Sequence, residues 1–521
     1  MGVLAVYDTV GIQNFIFSSN KLAENVGASK LVGDLFLKTT DEMNNPTVKP
    51  RLQSLTEVIA KVTGEKIFNW REHKCDRLSG DYAAEMIYQG GGNAYVKFKD
   101  KDIFQKVTEK FLTQVNLFAR GLGIAIAAVE TDFDNTYQAD IIKLNNRLAF
   151  AKGGFNIPTF AGNQPITKQS GRTGSPVSYY EDDDYLSLSQ KLKRIRDDVY
   201  KKESGTKFMD FDDLVFDKGE DSLIAIIHVD GNNMGNHVRK FTENFKTYSD
   251  AVPKLRCMAD KIEKCFESAR VKTISAFSGL YLDYAAKEKK LKNNGYHDTP
   301  LLKLIGDGDD TTIVICGRFA LDFTANFLRE IENTRPNDWP FKEMPTACAG
   351  VIIFHSHFPF SEAYKLAEEL CENAKKPSRK YDGSYIDFHL HQSGGIANLT
   401  TLRKRLYTVD EQSIHCRPWR VSAKHEGNFP NFKWFEENMS VIEKLPGNKV
   451  IEIRNAIGAG DTAAELAMNQ LRGEKLPGFP FDPDKDPDIR RSKHAAHFDV
   501  LEMYGNYVNL LNKGDVGDDG Q

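Results

Sequence analysis

The chain has 521 residues, 40% of them hydrophobic, which allows two to four domains with sizeable cores and excludes wholesale disorder. Its 69 basic and 73 acidic side chains leave a formal charge of −4, which argues against a broadly basic nucleic-acid surface and leaves room for a local patch. No basic stretch runs into an apolar one at the start, and no run of eighteen apolar residues occurs, so neither a secretory leader nor a membrane helix is expected. The seven cysteines are scattered, odd in number and without a Cys-x-x-Cys pair. That pattern predicts free thiols in a reducing cytoplasm, with no disulfide framework and no zinc.

In chain order, Gly2 to Asp8 reads as an apolar strand ending in an acid. Gly11-Ile12-Gln13-Asn14-Phe15-Ile16-Phe17 follows, then a helical pattern from Ala28 to about Met43. After an insertion that includes Glu57 to Lys66, Ala83 to Tyr88 is a strand. Gly90-Gly91-Gly92-Asn93 is a tight turn, and Ala94 to Phe98 is the return strand. Ile103 to Leu122 is helical by its spacing, and Ile124 to Glu130 is a further strand.

The same order then recurs. Leu223 to Val229 is a strand ending at Asp230; helical patterns run from Lys254 to Ser268 and on toward Ala286. Leu302 to Ile305 and Thr312 to Cys316 flank an acidic turn, Phe319 to Ile331 is helical, Ala347 to Phe354 is a strand, and Ser361 to Ala374 a helix. Each copy is β-α-β-β-α-β, a ferredoxin-like palm, so the predicted class is α+β. The spacings agree, with 83 positions from Asp8 to Gly91 and 78 from Asp230 to Gly308. The predicted division is a first, degenerate palm at 1–131, a linker domain at 132–220, a second, catalytic palm at 221–400 and a helical region at 401–521. The linker holds the turn cluster Gly171 to Pro176 and a charged helix, Leu186 to Lys202. In the last region Ala463 to Arg472 is a helix candidate, followed by Pro477, Pro480, Pro483 and Pro487, and Gly514 to Gln521 is polar.

Chemistry concentrates in two turns. Gly306-Asp307-Gly308-Asp309-Asp310 sets three carboxylates at one hairpin tip, where they repel unless a cation neutralises them. His228-Val229-Asp230-Gly231-Asn232-Asn233-Met234-Gly235 ends an earlier strand in another acid. A strand-end carboxylate beside an acidic hairpin is the arrangement by which palm polymerases and nucleotidyl cyclases hold two Mg²⁺ ions. The first copy has Gly-Gly-Gly-Asn at the matching turn. That turn either offers backbone N–H groups to a phosphate or ribose or is a tight turn at a domain contact.

These motifs resemble the large, palm-containing subunit of type III CRISPR effector complexes, the CRISPR polymerase family. The Gly11 to Phe17 segment is similar to its first-palm signature, Gly90 to Asn93 to its first-palm hairpin, and Asp230 to Gly235 to its second-palm turn. Gly308-Asp309-Asp310 matches the end of its G-G-D-D motif. Ala347 to Val351 and the helix Ala363 to Lys375 match more weakly. The resemblance spans roughly residues 2–390 and implies synthesis of cyclic oligoadenylate or related cyclic nucleotides from ATP, with two Mg²⁺ or Mn²⁺ ions, in antiviral defence. It also implies a CRISPR-type protein and RNA complex or a homodimer. The chain departs from the family at Asp307, where a glycine is usual, in the lack of paired cysteines, and in the lack of an HD nuclease domain. His297-Asp298 lies in a Gly/Asn-rich loop without companion histidines.

On this reading Asp230 and Asp309 are metal-holding catalytic residues, and Asp310 is a third ligand or an orienting neighbour. Asp307 is placed beside them as an orienting acid. Asn232, Gly235 and Gly308 shape the nucleotide-binding turns, Lys375 and Lys376, with Arg379 and Lys380 behind them, face the triphosphate, and Gly90, Gly91 and Gly92 line an acceptor half. His228 is read as a packed histidine. Gly458-Ala459-Gly460-Asp461-Thr462 is read as a helix start rather than a sugar-kinase phosphate motif. The competing function is a palm scaffold that binds RNA or protein partners without turnover. A diguanylate cyclase is disfavoured because Asp-Asp follows Gly308 where Asp/Glu-Glu-Phe would stand.

Overall fold

Alternate residues of the first strand, β1 (Gly2–Val10), feed two different cores: Val3, Ala5 and Tyr7 one, Leu4 and Val6 the other. A strand buried on both faces needs the unbroken apolar run seen in its sequence. The structure, a computed structural model, describes residues 1–37, 51–73, 76–154, 166–204, 208, 210–215, 222–287, 299–336, 339–392, 395, 397–422, 430–470 and 491–511.

With β2 (Ala84–Gly90), β3 (Asn93–Phe98) and β4 (Gly123–Thr131), β1 makes a sheet of order β2-β3-β1-β4, in which β1 runs antiparallel to both neighbours. The helix Lys101–Phe118 crosses between β3 and β4. A separate hairpin, β5 (Val177–Glu181) and β6 (Asp184–Ser187), precedes the helix Leu188–Ser204. The second sheet repeats the first: β7 (Leu223–Gly231), β8 (Leu301–Asp307), β9 (Asp310–Cys316) and β10 (Ala347–His355) stand in the order β8-β9-β7-β10. Ile224 and Ile226 of β7 enter the core of Val3 and Tyr7, whereas Ala225, Ile227 and Val229 enter the core of Leu4 and Val6. Both palms therefore share both cores, within a mixed α and β architecture that carries further helices.

Several elements differ from the sequence reading. The helices expected from Lys254 onward are one 40-residue helix, Tyr248–Lys287, which Pro253 does not end. The first-palm helix is Leu22–Gly33, starting earlier than Ala28 because Leu22 and Val26 are already buried; residues 38–43 of the expected span lie outside the described residues. The helix Tyr137–Gly153 in the linker was not anticipated. The second sheet also continues past β10 into β11 (Tyr385–His391), parallel to it, and the two-residue strand Trp419–Arg420, which lies beyond residue 400. β11 escapes a hydrophobic reading because Asp387, His389 and His391 interrupt it, yet all three are buried. Arg403 satisfies Asp387 with two hydrogen bonds, 2.9 Å to Oδ2 and 2.5 Å to Oδ1, which makes the burial tolerable.

The helix Phe360–Tyr381 lies directly on β10 at Gly350, where an added Cβ would stand 2.0 Å from the Ala367 carbonyl oxygen and 2.4 Å from the Cys371 nitrogen. Glycine at that position sets how closely this helix approaches the end of β7. Near the C-terminus a helix opens at Asp461 after Gly460, as expected, and the Asp461 carboxylate accepts a hydrogen bond from Ser492 Oγ. His297-Asp298, the prolines from Pro477 to Pro487 and Gly514 to Gln521 lie outside the described residues. No described helix is long and apolar enough to cross a membrane.

Candidate active site

Asp230, the penultimate residue of β7, pairs with Cys348 of β10 on one side, while Val229 pairs with Thr311 of β9 on the other. The β8–β9 hairpin closes with Asp307 opposite Asp310, leaving Gly308 and Asp309 at its tip. Gly308 has φ +62 and Asp309 does not share that sign, the pattern of a type II′ hairpin turn. The two acidic turns therefore meet at one edge of the sheet. Asp309 lies over Gly231, where an added Cβ would come within 2.9 Å of Asp309 Cβ and 3.0 Å of its Oδ2. From above, Lys375 reaches down from the helix Phe360–Tyr381 and sets Nζ 2.8 Å from Asp230 Oδ2. Together with Asn232, Gly235 and Arg379, these residues line a cavity of about 380 Å³.

Asp310 carries the strongest electrostatic signature of the site. Burial, then the charges of Asp230, Asp309 and Glu368, push its carboxyl up to about 8. Its side chain keeps 39% of its surface, but Oδ1 is sealed from solvent and has no hydrogen-bond donor. His228 Nδ1 is 3.6 Å from that oxygen, and burial pushes this imidazole down to about 4, so it is neutral at pH 7 and gives Asp310 no positive charge. Burial opposes charge on Lys375, yet Asp230 holds its ammonium above the ordinary lysine range.

Among the described residues, no three carboxylate, histidine or cysteine groups are gathered tightly enough to hold an ion as they stand. The donor set nevertheless fits a divalent cation. Asp310 has a buried oxygen without a donor, three further carboxylates raise its pKa, and Asp230 is satisfied by a lysine that a harder cation would displace. The first ligands to name are Asp230, Asp309 and Asp310.

The family described as Cas10/Cmr2, second palm domain, matches residues 223–383. That stretch is similar to a Cas10/Cmr2 second palm, the domain type of the CRISPR polymerase family. Two solved structures share the fold at 12% identity and a TM-score of 0.50, each covering 96% of this chain and 69% of its own: the Csm1–Csm4 cassette in complex with cA4 and the same cassette in complex with pppApApA. Csm1 in T.onnurineus is similar at 12% identity and a TM-score of 0.47, with the same coverage. No curated protein matches the chain.

The remaining predicted positions fall into separate groups. Asn232 is a buried brace: Nδ2 donates to Thr346 Oγ1 and to the Gly383 carbonyl, both at 3.0 Å, and its Oδ1 has no partner. Gly235 sits in the first turn of the helix Met234–Thr242, whose free N–H groups open on the cavity. Lys376 does not join Lys375. One residue further round the helix, it donates to Asn373 Oδ1 at 3.1 Å and lines a separate groove with Glu368, Glu369 and Glu372. Arg379 is on the cavity rim, 2.7 Å from Glu372, and Lys380 lies over the Tyr381 ring. The Asp307 side chain lies outside the described residues. Gly90, Gly91 and Gly92 are not among the residues lining the acidic cavity; they form the β2–β3 turn, where a Cβ on Gly91 would meet nothing within 4 Å.

Four residues near the acids were missed from sequence. Tyr364 and Glu368 lie beside Asp310 on the helix that carries Lys375; their spacing of four and seven residues was a readable signal of one helix face. Gln13, from the first palm, lies within reach of the Tyr364 hydroxyl. Arg270 is buried behind the hairpin and donates to Thr311 Oγ1 at 3.2 Å and the Gly306 carbonyl at 3.3 Å.

Proposed function

We propose that the chain is a nucleotidyltransferase, dependent on Mg²⁺ or Mn²⁺, that joins ATP or another nucleoside triphosphate into a cyclic oligonucleotide messenger in antiviral defence. One observation carries the reading: a single cavity brings Asp230, Asp309 and Lys375 together beside Asp310. Similar folds have been solved with cA4 and with pppApApA, which agrees with a cyclic oligoadenylate product.

In the reaction, a ribose 3′-oxygen forms a bond to the α-phosphorus of a second nucleotide, its proton passing to solvent. The α–β bridging bond breaks and pyrophosphate leaves. Asp230, Asp309 and Asp310 would hold two Mg²⁺ ions, which would supply Lewis acidity toward the 3′-oxygen and counter-charge for the pyrophosphate. Lys375 and Arg379, with the N–H groups at the start of Met234–Thr242, orient the triphosphate. Gly90, Gly91 and Gly92 serve the acceptor half through their backbone. The chain works with a protein partner, as Csm1 does with Csm4 in the solved cassettes, within a protein and RNA complex, or as a homodimer.

The test is incubation of the purified chain with each nucleoside triphosphate and Mg²⁺ or Mn²⁺, with mass spectrometry of the products. ATP is expected to give cyclic oligoadenylate. Absence of any nucleotidyl product with all four triphosphates would overturn the enzyme reading in favour of a scaffold.

A further inference from the structure

A second cavity, which shares no lining residue with the acidic one, lies between the first palm and the linker. Its volume is about 460 Å³, the size range of small-molecule sites. The first palm contributes Ser18 and Arg120 to its wall, and the linker contributes Thr173, Ser175, Ser189 and Lys193. No carboxylate is among its lining residues.

Lys193 is the unusual member. Its side chain is only 3% exposed, and a lysine that deep is normally ion-paired. Here Nζ donates to two neutral acceptors, the Phe15 carbonyl at 2.6 Å and Ser18 Oγ at 2.9 Å. An ammonium has three N–H donors, and beyond these two bonds Nζ meets only the Phe15 ring, 4.3 Å from its centroid, a weak partner that an anionic oxygen would outcompete. Burial pushes Lys193 down to about 8, and Glu24 opposes this only from a distance. Glu24 is itself engaged by Arg194 at 2.9 Å and by Gln190 at 3.2 Å. Among the described residues, the buried positive charge thus has no close counter-ion.

The rest of the wall suits the same chemistry. Thr173 Oγ1 accepts from the Ser175 backbone at 3.4 Å, which leaves its hydroxyl proton to donate. Ser189 lies in the first turn of the seventeen-residue helix Leu188–Ser204, whose N-terminus adds partial positive charge at the cavity. Two cations, several hydroxyls, a helix start and no acid make a receptor for an anion with several acceptor oxygens.

We propose that this cavity binds a phosphorylated small molecule of mononucleotide size, with Lys193 and Arg120 as its counter-charges. The site is separate from the acidic cavity and does not depend on the proposed synthesis.

The test is equilibrium binding of inorganic phosphate and of AMP to the full chain in chelator-containing buffer, where metal-dependent binding at the acidic turns is silent. Wild type is expected to saturate with one equivalent of AMP. Arg120→Ala should weaken binding about tenfold, the size of one charge-assisted hydrogen bond. Lys193→Met should abolish it, and Lys375→Met, in the acidic cavity, should leave it unchanged. Should Lys193→Met fail to fold, the partly exposed Arg120→Ala still decides. Four results would overturn the proposal: no saturable binding of phosphate or AMP, binding insensitive to Arg120→Ala, binding lost in Lys375→Met, or binding confined to a 5′-phosphorylated oligonucleotide. Because binding is read without turnover, failure here and failure of the nucleotidyltransferase reading are distinguishable.

Discussion

Lys375 Nζ stands 2.8 Å from Asp230 Oδ2, so the acid near the end of β7 is neutralised by a lysine. On the proposed reading, metal entry would exchange one cation for another at that acid.

The acids themselves are the first test. Asp230→Ala and Asp309→Ala should each lower nucleotidyl product by at least about 100-fold, the scale of losing one preorganised charge-stabilising group. Asp230 is the penultimate residue of β7 and Asp309 sits at the hairpin tip, both with partly exposed side chains, so far-ultraviolet circular dichroism should be unchanged. Melting in excess Mg²⁺ should rise for wild type and not for Asp309→Ala, because only an intact site gains linkage stabilisation. Near-normal product from either variant would remove it from the metal set.

The two adjacent lysines should behave differently. Lys375→Met removes a cation from the cavity and should raise KM for the triphosphate roughly tenfold or more, the scale of one charge-assisted contact. Lys376→Met should leave KM and kcat unchanged, since its ammonium bonds Asn373 in another groove. Equal effects from the two variants would contradict the helix phase seen here.

Arg270 tests the support behind the hairpin. Arg270→Met strips donors from Thr311 Oγ1 and the Gly306 carbonyl in a buried setting and should cost about 1–3 kcal/mol in urea unfolding. Product formation should fall more than stability alone explains, because the acids ride on that hairpin. Full turnover at temperatures where the variant is folded would make Arg270 a packing residue only.

The glycine turn of the first palm separates strain from obstruction. Gly92 has φ +77, and a Cβ there would stand 2.6 Å from Thr9 Oγ1, so Gly92→Val should lower the melting midpoint markedly. Gly91, at φ +59 with open space around it, should accept Asn, which tolerates this conformation, with little change in melting. If the turn serves an acceptor nucleotide, Gly91→Asn will depress synthesis while leaving the fold intact; unchanged synthesis would reduce the turn to scaffold.

Much of this architecture was legible because each palm strand is a short apolar run punctuated by glycines and acids, and the run ends where chemistry begins. Asp230 and Asp309 could be named for that reason. Lys375 could not be told from Lys376, since a lysine-rich helix end gives no phase until the helix is known to continue to Tyr381. Arg270 looked like any cation on an amphipathic helix; only the hairpin behind it shows why it is buried. β11 was hidden by Asp387, whose partner Arg403 is sixteen residues away and on a different element.

The 40-residue helix Tyr248–Lys287 has a wider consequence. Near its start, fully buried Arg256 donates to the carbonyls of Met86 and Ile87 and to Glu85 Oε1, all on β2 of the first palm. Fourteen residues on, roughly 21 Å along the axis, Arg270 grips the acidic hairpin of the second. One rigid rod is thus pinned to both hairpins, the glycine one and the acidic one. A jaw-like rotation of one palm away from the other would have to snap a buried guanidinium from its carbonyls or bend the rod. On the proposed reading, nucleotides would enter and leave by threading past a fixed aperture, and a switch would act by moving side chains and turns within a frame that does not itself open.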